Sequence, residues 1–158
     1  MAKRIKFGDI IEIKTSKGYG YMQYTHKDSM LGNLVRVFKG IYIKPLEDLQ
    51  VLEDKEIQFT TFFPLQTAVN QNIVTVIANK KVRKDLQPFP LLKSMLAQDK
   101  ETWKAKSWEL WDGEKVIGLI RPPLTQEQIN LPISEVINDT LLIERIDSGW
   151  TTKLDLSI

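Results

Sequence analysis

The chain has 158 residues, with 22 Lys and Arg against 20 Asp and Glu, one His and no Cys, for a formal net charge of +2. Its 42% hydrophobic and 27% charged content is that of an ordinary globular chain, which excludes disorder and collagen-like repeats. Without cysteine there is no disulfide framework, thiolate nucleophile or Cys-based zinc site, and one histidine cannot form a two-His metal motif, so no metal or cofactor is expected.

The start, MAKRIKFGDI, is charged and lacks the apolar run of a signal peptide, and no later stretch approaches membrane-spanning length. The expected compartment is the cytoplasm, with no membrane partner. Charge is uneven: residues 1–44 hold nine Lys or Arg and three Asp or Glu, for +6, and residues 45–158 hold thirteen and seventeen, for −4.

In chain order, Ile11 and Ile13 alternate with Glu12 and Lys14, the period-2 pattern of a half-buried strand, after a Gly8-Asp9 turn. A polar turn at residues 15–18 leads to a second strand over Tyr19–Thr25, where Gly20 marks a bulge or a close backbone approach. Leu34–Phe38 is a third strand, and Lys39-Gly40 separates it from Ile41-Tyr42-Ile43. Short strands with glycine-bearing turns predict a strongly bent N-terminal antiparallel sheet, SH3-like or a partly open barrel. Leu46–Leu49 reads as a short helical turn, and Ile57–Phe63 as a strand stopped by Pro64, which opens a helix through Asn70. Ile73–Ile77 is a β-branched, buried strand.

Residues 80–99, with Lys80-Lys81-Val82-Arg83-Lys84 and Pro88 and Pro90, read as a loop joining subregions 1–79 and 100–158 of a single domain. Trp103–Trp111 and Glu114–Ile120 form a C-terminal β-hairpin about a two-residue Asp112-Gly113 turn. Thr125 caps a short helix, Leu131–Ile146 has apolar spacing compatible with another, and Gly149-Trp150 leads into a last strand ending at Leu156. The predicted class is α+β, β-rich, with a few short helices.

No catalytic constellation emerges from these residues. His26, Asp28 and Ser29 share one loop, a poor basis for a triad defined by geometry across a fold. Asp9, Glu12, Asp112 and Glu114 sit at strand starts and turns, where carboxylates are usually turn-forming or solvated. No glycine cluster meets a phosphate-binding pattern. The chain is therefore expected to bind rather than catalyse. A nucleic-acid partner is one option: Tyr19, Tyr21, Tyr24, Phe38 and Tyr42 interleave with Lys14, Lys17, Lys27, Arg36, Lys39 and Lys44, with Lys80–Lys84 as a second basic patch. The small net charge of +2 weighs against it.

Four strings taken together, Phe7–Ile13, Gly18–His26, Val35–Phe38 and Phe59–Leu65, resemble the immunity-protein family numbered twenty-six of bacterial polymorphic toxin systems, over about residues 5–95. The resemblance rests on hydrophobic and glycine positions. It implies a mostly β protein that protects its producer by binding a cognate toxin protein, with no catalytic residues to carry over. An inhibitor of that kind needs aromatic or Arg anchors and a charge pattern opposed to its target. The candidate partner-binding residues are the acidic run Glu47, Asp48, Glu53, Asp54 and Glu56, together with Trp108 and Trp111. The SH3-like module using its basic face for nucleic acid or regulation is the alternative.

Overall fold

The computed structural model describes residues 3–158. Strands β1 (Asp9–Thr15), β2 (Gly18–Asp28), β3 (Gly32–Phe38), β4 (Ile57–Phe62) and β5 (Val74–Asn79) form one antiparallel sheet in the order β4-β3-β2-β1-β5. The first four follow one another as a meander, and β5 returns to β1 after helix α1 (Leu65–Asn70). β4 and β5 end the sheet without pairing to each other, so the sheet is open, within the expected β-rich α+β class. Its bends coincide with register shifts at Ile10/Ile11, Tyr24/His26 and Val37/Phe38, where an extra residue increases local twist.

Alternation in β1 suggested one wet face, but both faces of this sheet are covered. One carries the main core: Ile11, Ile13, Met22, Val35, Val37 and Phe59 pack against α1 and helix α3 (Asp139–Ser148) through Leu65, Val69, Leu142 and Ile146. Gly20 permits the α3 contact, since a Cβ there would lie 3.1 Å from Ile146 Cγ2. The other face holds Ile10, Tyr21 and Phe38 beneath the β3–β4 connection, which supplies Leu52 from a 3-10 turn at Leu49–Leu52, three residues later than expected. The Tyr21 hydroxyl fastens that connection, accepting from the Leu46 N–H and donating to Glu12, both at 2.7 Å.

A second antiparallel sheet, in the order β6-β7-β8, comprises β6 (Leu92–Gln98), β7 (Ala105–Trp111) and β8 (Val116–Ile120). Strand β6 lies inside the expected 80–99 loop. Its sequence, LKSMLAQ, alternates poorly and carries a register break near Met95–Gln98, which hides the period-2 signal. The hairpin exists with different limits. β7 starts at Ala105 because Trp103 is left-handed (φ 66°), and the loop has four residues, Asp112–Lys115, since Trp111 pairs with Val116.

Thr125 does cap α2 (Gln126–Asn130), in a capping box with Gln128. The helical spacing over residues 131–146 is realised only from Asp139. Residues 132–137 are extended and tie the sheets together: the Lys93 N–H donates to the Pro132 carbonyl, and the Ser134 N–H to the Lys93 carbonyl. Then the Phe62 N–H donates to Glu135 and the Ile137 N–H to Phe62. Unfilled edge groups of β4 and β6 thus outcompete helix formation in this segment. Two further predicted strands are absent: Ile41–Ile43 contributes a single bridge, Tyr42 to Tyr19, and the region before Leu156 forms a 3-10 turn at Thr152–Leu154. No helix among the described residues is long and apolar enough to cross a membrane.

Candidate functional site

The five carboxylates expected at an interface, Glu47, Asp48, Glu53, Asp54 and Glu56, all lie exposed on the β3–β4 connection. Several are already engaged. Asp48 accepts from the Gln50 N–H to cap the 3-10 turn, Glu56 pairs with Lys39 at 3.4 Å, and Glu53 lies 3.8 Å from Lys80. The basic stretch at residues 80–84 folds alongside this acidic run. Arg83 donates to the Glu53 and Lys55 carbonyls and pairs with Asp85 at 3.0 Å, and a cleft of about 720 Å³ opens between Glu53 and Lys80–Lys84. Opposite charges distant in sequence thus neutralise one another in space.

The tryptophans divide differently from expectation. Trp108 is 1% exposed, with the Lys93 ammonium 5.4 Å from its ring centre, so it is a core residue and not a surface anchor. Trp111 is partly buried against Phe89, at 5.5 Å between ring centres, and joins the Leu34, Phe62 and Leu92 cluster between the sheets, so it is occupied too. Trp103 is the tryptophan left open, 62% exposed in the β6–β7 loop.

The basic, aromatic N-terminal face also resolves by side-chain direction. Tyr21, Tyr24 and Phe38 are buried and Tyr19 and Tyr42 pack against the second core, so the rings a base would stack on point inward. Arg36 is buried as well, contacting only neutral oxygens, at Thr25 Oγ1 (3.3 Å), Thr60 Oγ1 (3.4 Å) and the Pro88 carbonyl (3.5 Å). It anchors residues 80–90 over the sheet instead of meeting a phosphate.

The remaining candidates for chemistry have structural duties. His26 contacts Thr25 Oγ1 (2.8 Å) and the Gln87 carbonyl (2.7 Å), away from Asp28, whose carboxylate accepts from the Met30 and Leu31 N–H groups. Burial lowers the His26 pKa. Asp9 accepts from Lys6 N–H and Asn79, and Asp112 accepts from the Lys115 and Glu114 N–H groups, bonds that hold the Asp112 carboxyl below the usual range. Among the described residues no cluster of three or more His, Asp or Glu could hold a metal.

What the sequence did not locate is the apolar surface of the second sheet. Of the thirteen large apolar side chains exposed among the described residues, six fall within residues 92–120: Met95, Leu96, Trp103, Val116, Ile117 and Leu119. Such clustering, unlike scattered exposure, marks interaction sites. β8 lies at the sheet edge, and outside its pairing with β7 no backbone hydrogen bond among the described residues engages Val116–Ile120. The hydrophobic string VIGLI was legible; that it ends a sheet was not.

Compared with protein-family models, curated proteins and solved structures, the chain matches none.

Proposed function

We propose that this protein is a stoichiometric binding protein of the immunity type, which neutralises a bacterial toxin by covering part of its surface. The observation that carries the binding half is the exposed apolar edge strand of the second sheet, β8, with Val116, Ile117 and Leu119 exposed and further exposed apolar side chains at Met95, Leu96 and Trp103 in the rest of that sheet and its β6–β7 loop. Burying such a surface against a partner is the dominant favourable contribution to most protein association. The toxin half rests on the resemblance of residues 5–95 to the immunity family, whose expected β-rich character agrees with the fold. The acidic run contributes at Glu47 and Asp54, which form no ion pair among the described residues, because its other carboxylates are committed within the chain.

The test is co-expression with the toxin domain encoded by the adjacent gene, scored by cell survival, followed by calorimetry of the purified pair. Survival with a 1:1 complex is the expected outcome. Equal killing with and without this protein overturns the proposal.

A further inference from the structure

The open edge of β8 has three properties that together specify what it accepts. Its outer N–H and C=O groups are unpaired among the described residues, and Val116, Ile117 and Leu119 are 50%, 51% and 60% exposed. Natural sheet edges are normally protected by a charge, a proline or a covering segment. Here Pro122-Pro123 lies beyond the strand, and the register shift at Leu110/Trp111 affects only its beginning, leaving Gly118–Ile120 regular. Gly118 adds a second, independent sign. A Cβ there would meet only Leu110 Cδ1, at 3.8 Å, so nothing inside the chain requires glycine, and a glycine in a strand often marks close approach by another backbone.

The charges flanking the strand choose between occupants. Lys115 and Arg121 bracket β8, both exposed and neither in an ion pair among the described residues. A second copy pairing antiparallel with Gly118 facing Gly118 sets Lys115 opposite Arg121 twice, and like charges directly opposed are destabilising. Shifting the axis to Ile117 places Lys115 against Leu119 and Glu114 against Ile120; shifting it to Leu119 places Arg121 against Ile117. Each register mismatches charge, whereas a foreign strand with an apolar middle and carboxylates at its ends satisfies both cations.

We propose that β8 binds an extended segment of a partner protein by strand addition, and that this segment is apolar at its centre and acidic at its ends. The inference deepens the binding reading above and, for the partner's identity as a toxin, rests on it. Main-chain hydrogen bonds would hold the added strand and alternate side chains would meet Ile117 and Leu119.

The probe is a synthetic peptide of alternating valine and threonine with two aspartates at each end, compared with a twin ending in lysines, each titrated into the full chain by NMR. The expected result is shifts and slowed amide exchange confined to Val116–Ile120, with at least tenfold weaker binding of the lysine twin. Lys115→Glu combined with Arg121→Glu should reverse that preference. Shifts elsewhere, no difference between the twins, or a concentration-dependent dimer abolished by Ile117→Lys would overturn the proposal. With the toxin itself, Leu119→Lys, at a position exposed enough to spare the fold, should weaken the complex at least tenfold. Unchanged affinity of that variant removes the β8 inference while leaving the immunity reading standing. A wild-type chain that binds the acidic peptide but fails to protect cells removes the immunity reading and keeps β8.

Discussion

Lys93 shows how a side chain that looks like surface in sequence becomes an internal fastener. It is fully buried, and its ammonium donates to the carbonyls of Gln128 (3.0 Å), Ile129 (2.8 Å) and Leu131 (2.5 Å). Those acceptors lie at the end of α2, where helical carbonyls lack internal partners and a cation also meets the negative end of the helix. Lys93→Met should lower stability to urea by about 2–4 kcal/mol, because three buried acceptors lose a charged donor. Burial pushes the Lys93 pKa from 10.5 down to about 8, while the unfolded chain keeps the ordinary value. Between those two values the unfolded state holds more protons, so stability gains a pH-dependent increment from this group, absent below about 8 and complete above 10.5, in addition to what its hydrogen bonds contribute. Wild type should therefore gain on Lys93→Met from pH 7.5 to pH 9.5; parallel stabilities across that interval would show that the lysine stays charged.

At the scale of elements, α2 has five residues, too few to persist on propensity alone. It survives because both ends are tied, at its start by the Thr125–Gln128 capping box and at its end by Lys93. Thr125→Ala should cost about 1 kcal/mol in urea unfolding, and the double variant with Lys93→Met should cost less than the sum, since one frayed end weakens the value of the other. The cap was legible from Thr125, because capping is a local exchange of hydrogen bonds, and the structure adds Gln128 as its reciprocal partner. The partner at the other end was not, because Lys93 sits 35 residues before Gln128 and only the fold unites them. The same contrast separates β4, found from its own alternation, from the stretch at residues 132–137, whose conformation is set by strand edges far away in sequence. Arg145 belongs with the second group: it bonds Glu135 at 2.5 Å, reaches Asp155 at 3.6 Å and lies 3.8 Å over the Trp150 ring, joining α3, the stitching segment and the C-terminal turn.

For the whole molecule, the −4 portion of the chain is itself mixed in space, and Lys39 of the +6 portion reaches into it at Glu56. The acidic residues of the β3–β4 connection and the cations of residues 80–84 lie side by side, and exposed pairs such as Lys39–Glu56 contribute about 0–1 kcal/mol each. With its tyrosines turned inward, the basic N-terminal face gives nucleic-acid bases little to stack on. Titration with generic single-stranded RNA at low salt should show no saturable binding; a complex that persists at physiological salt would restore the basic-face reading.

The sequence by itself determined the β-rich α+β class, the first five strands and the helix before the fifth, the hairpin and the cap of α2, because periodicity, turn residues and caps act over a few neighbours. Its counts also determined that thiol and disulfide chemistry are excluded. Only the tertiary structure decided that β6 exists, that Trp108 is core, that Glu53 and Glu56 of the acidic run sit beside cations of this chain, and that VIGLI is an open edge. Those properties depend on which segments meet across tens of residues. Burial, ion pairing and strand order are set by the competition among all segments for the same cores and the same unpaired backbone groups, and no local pattern records its outcome.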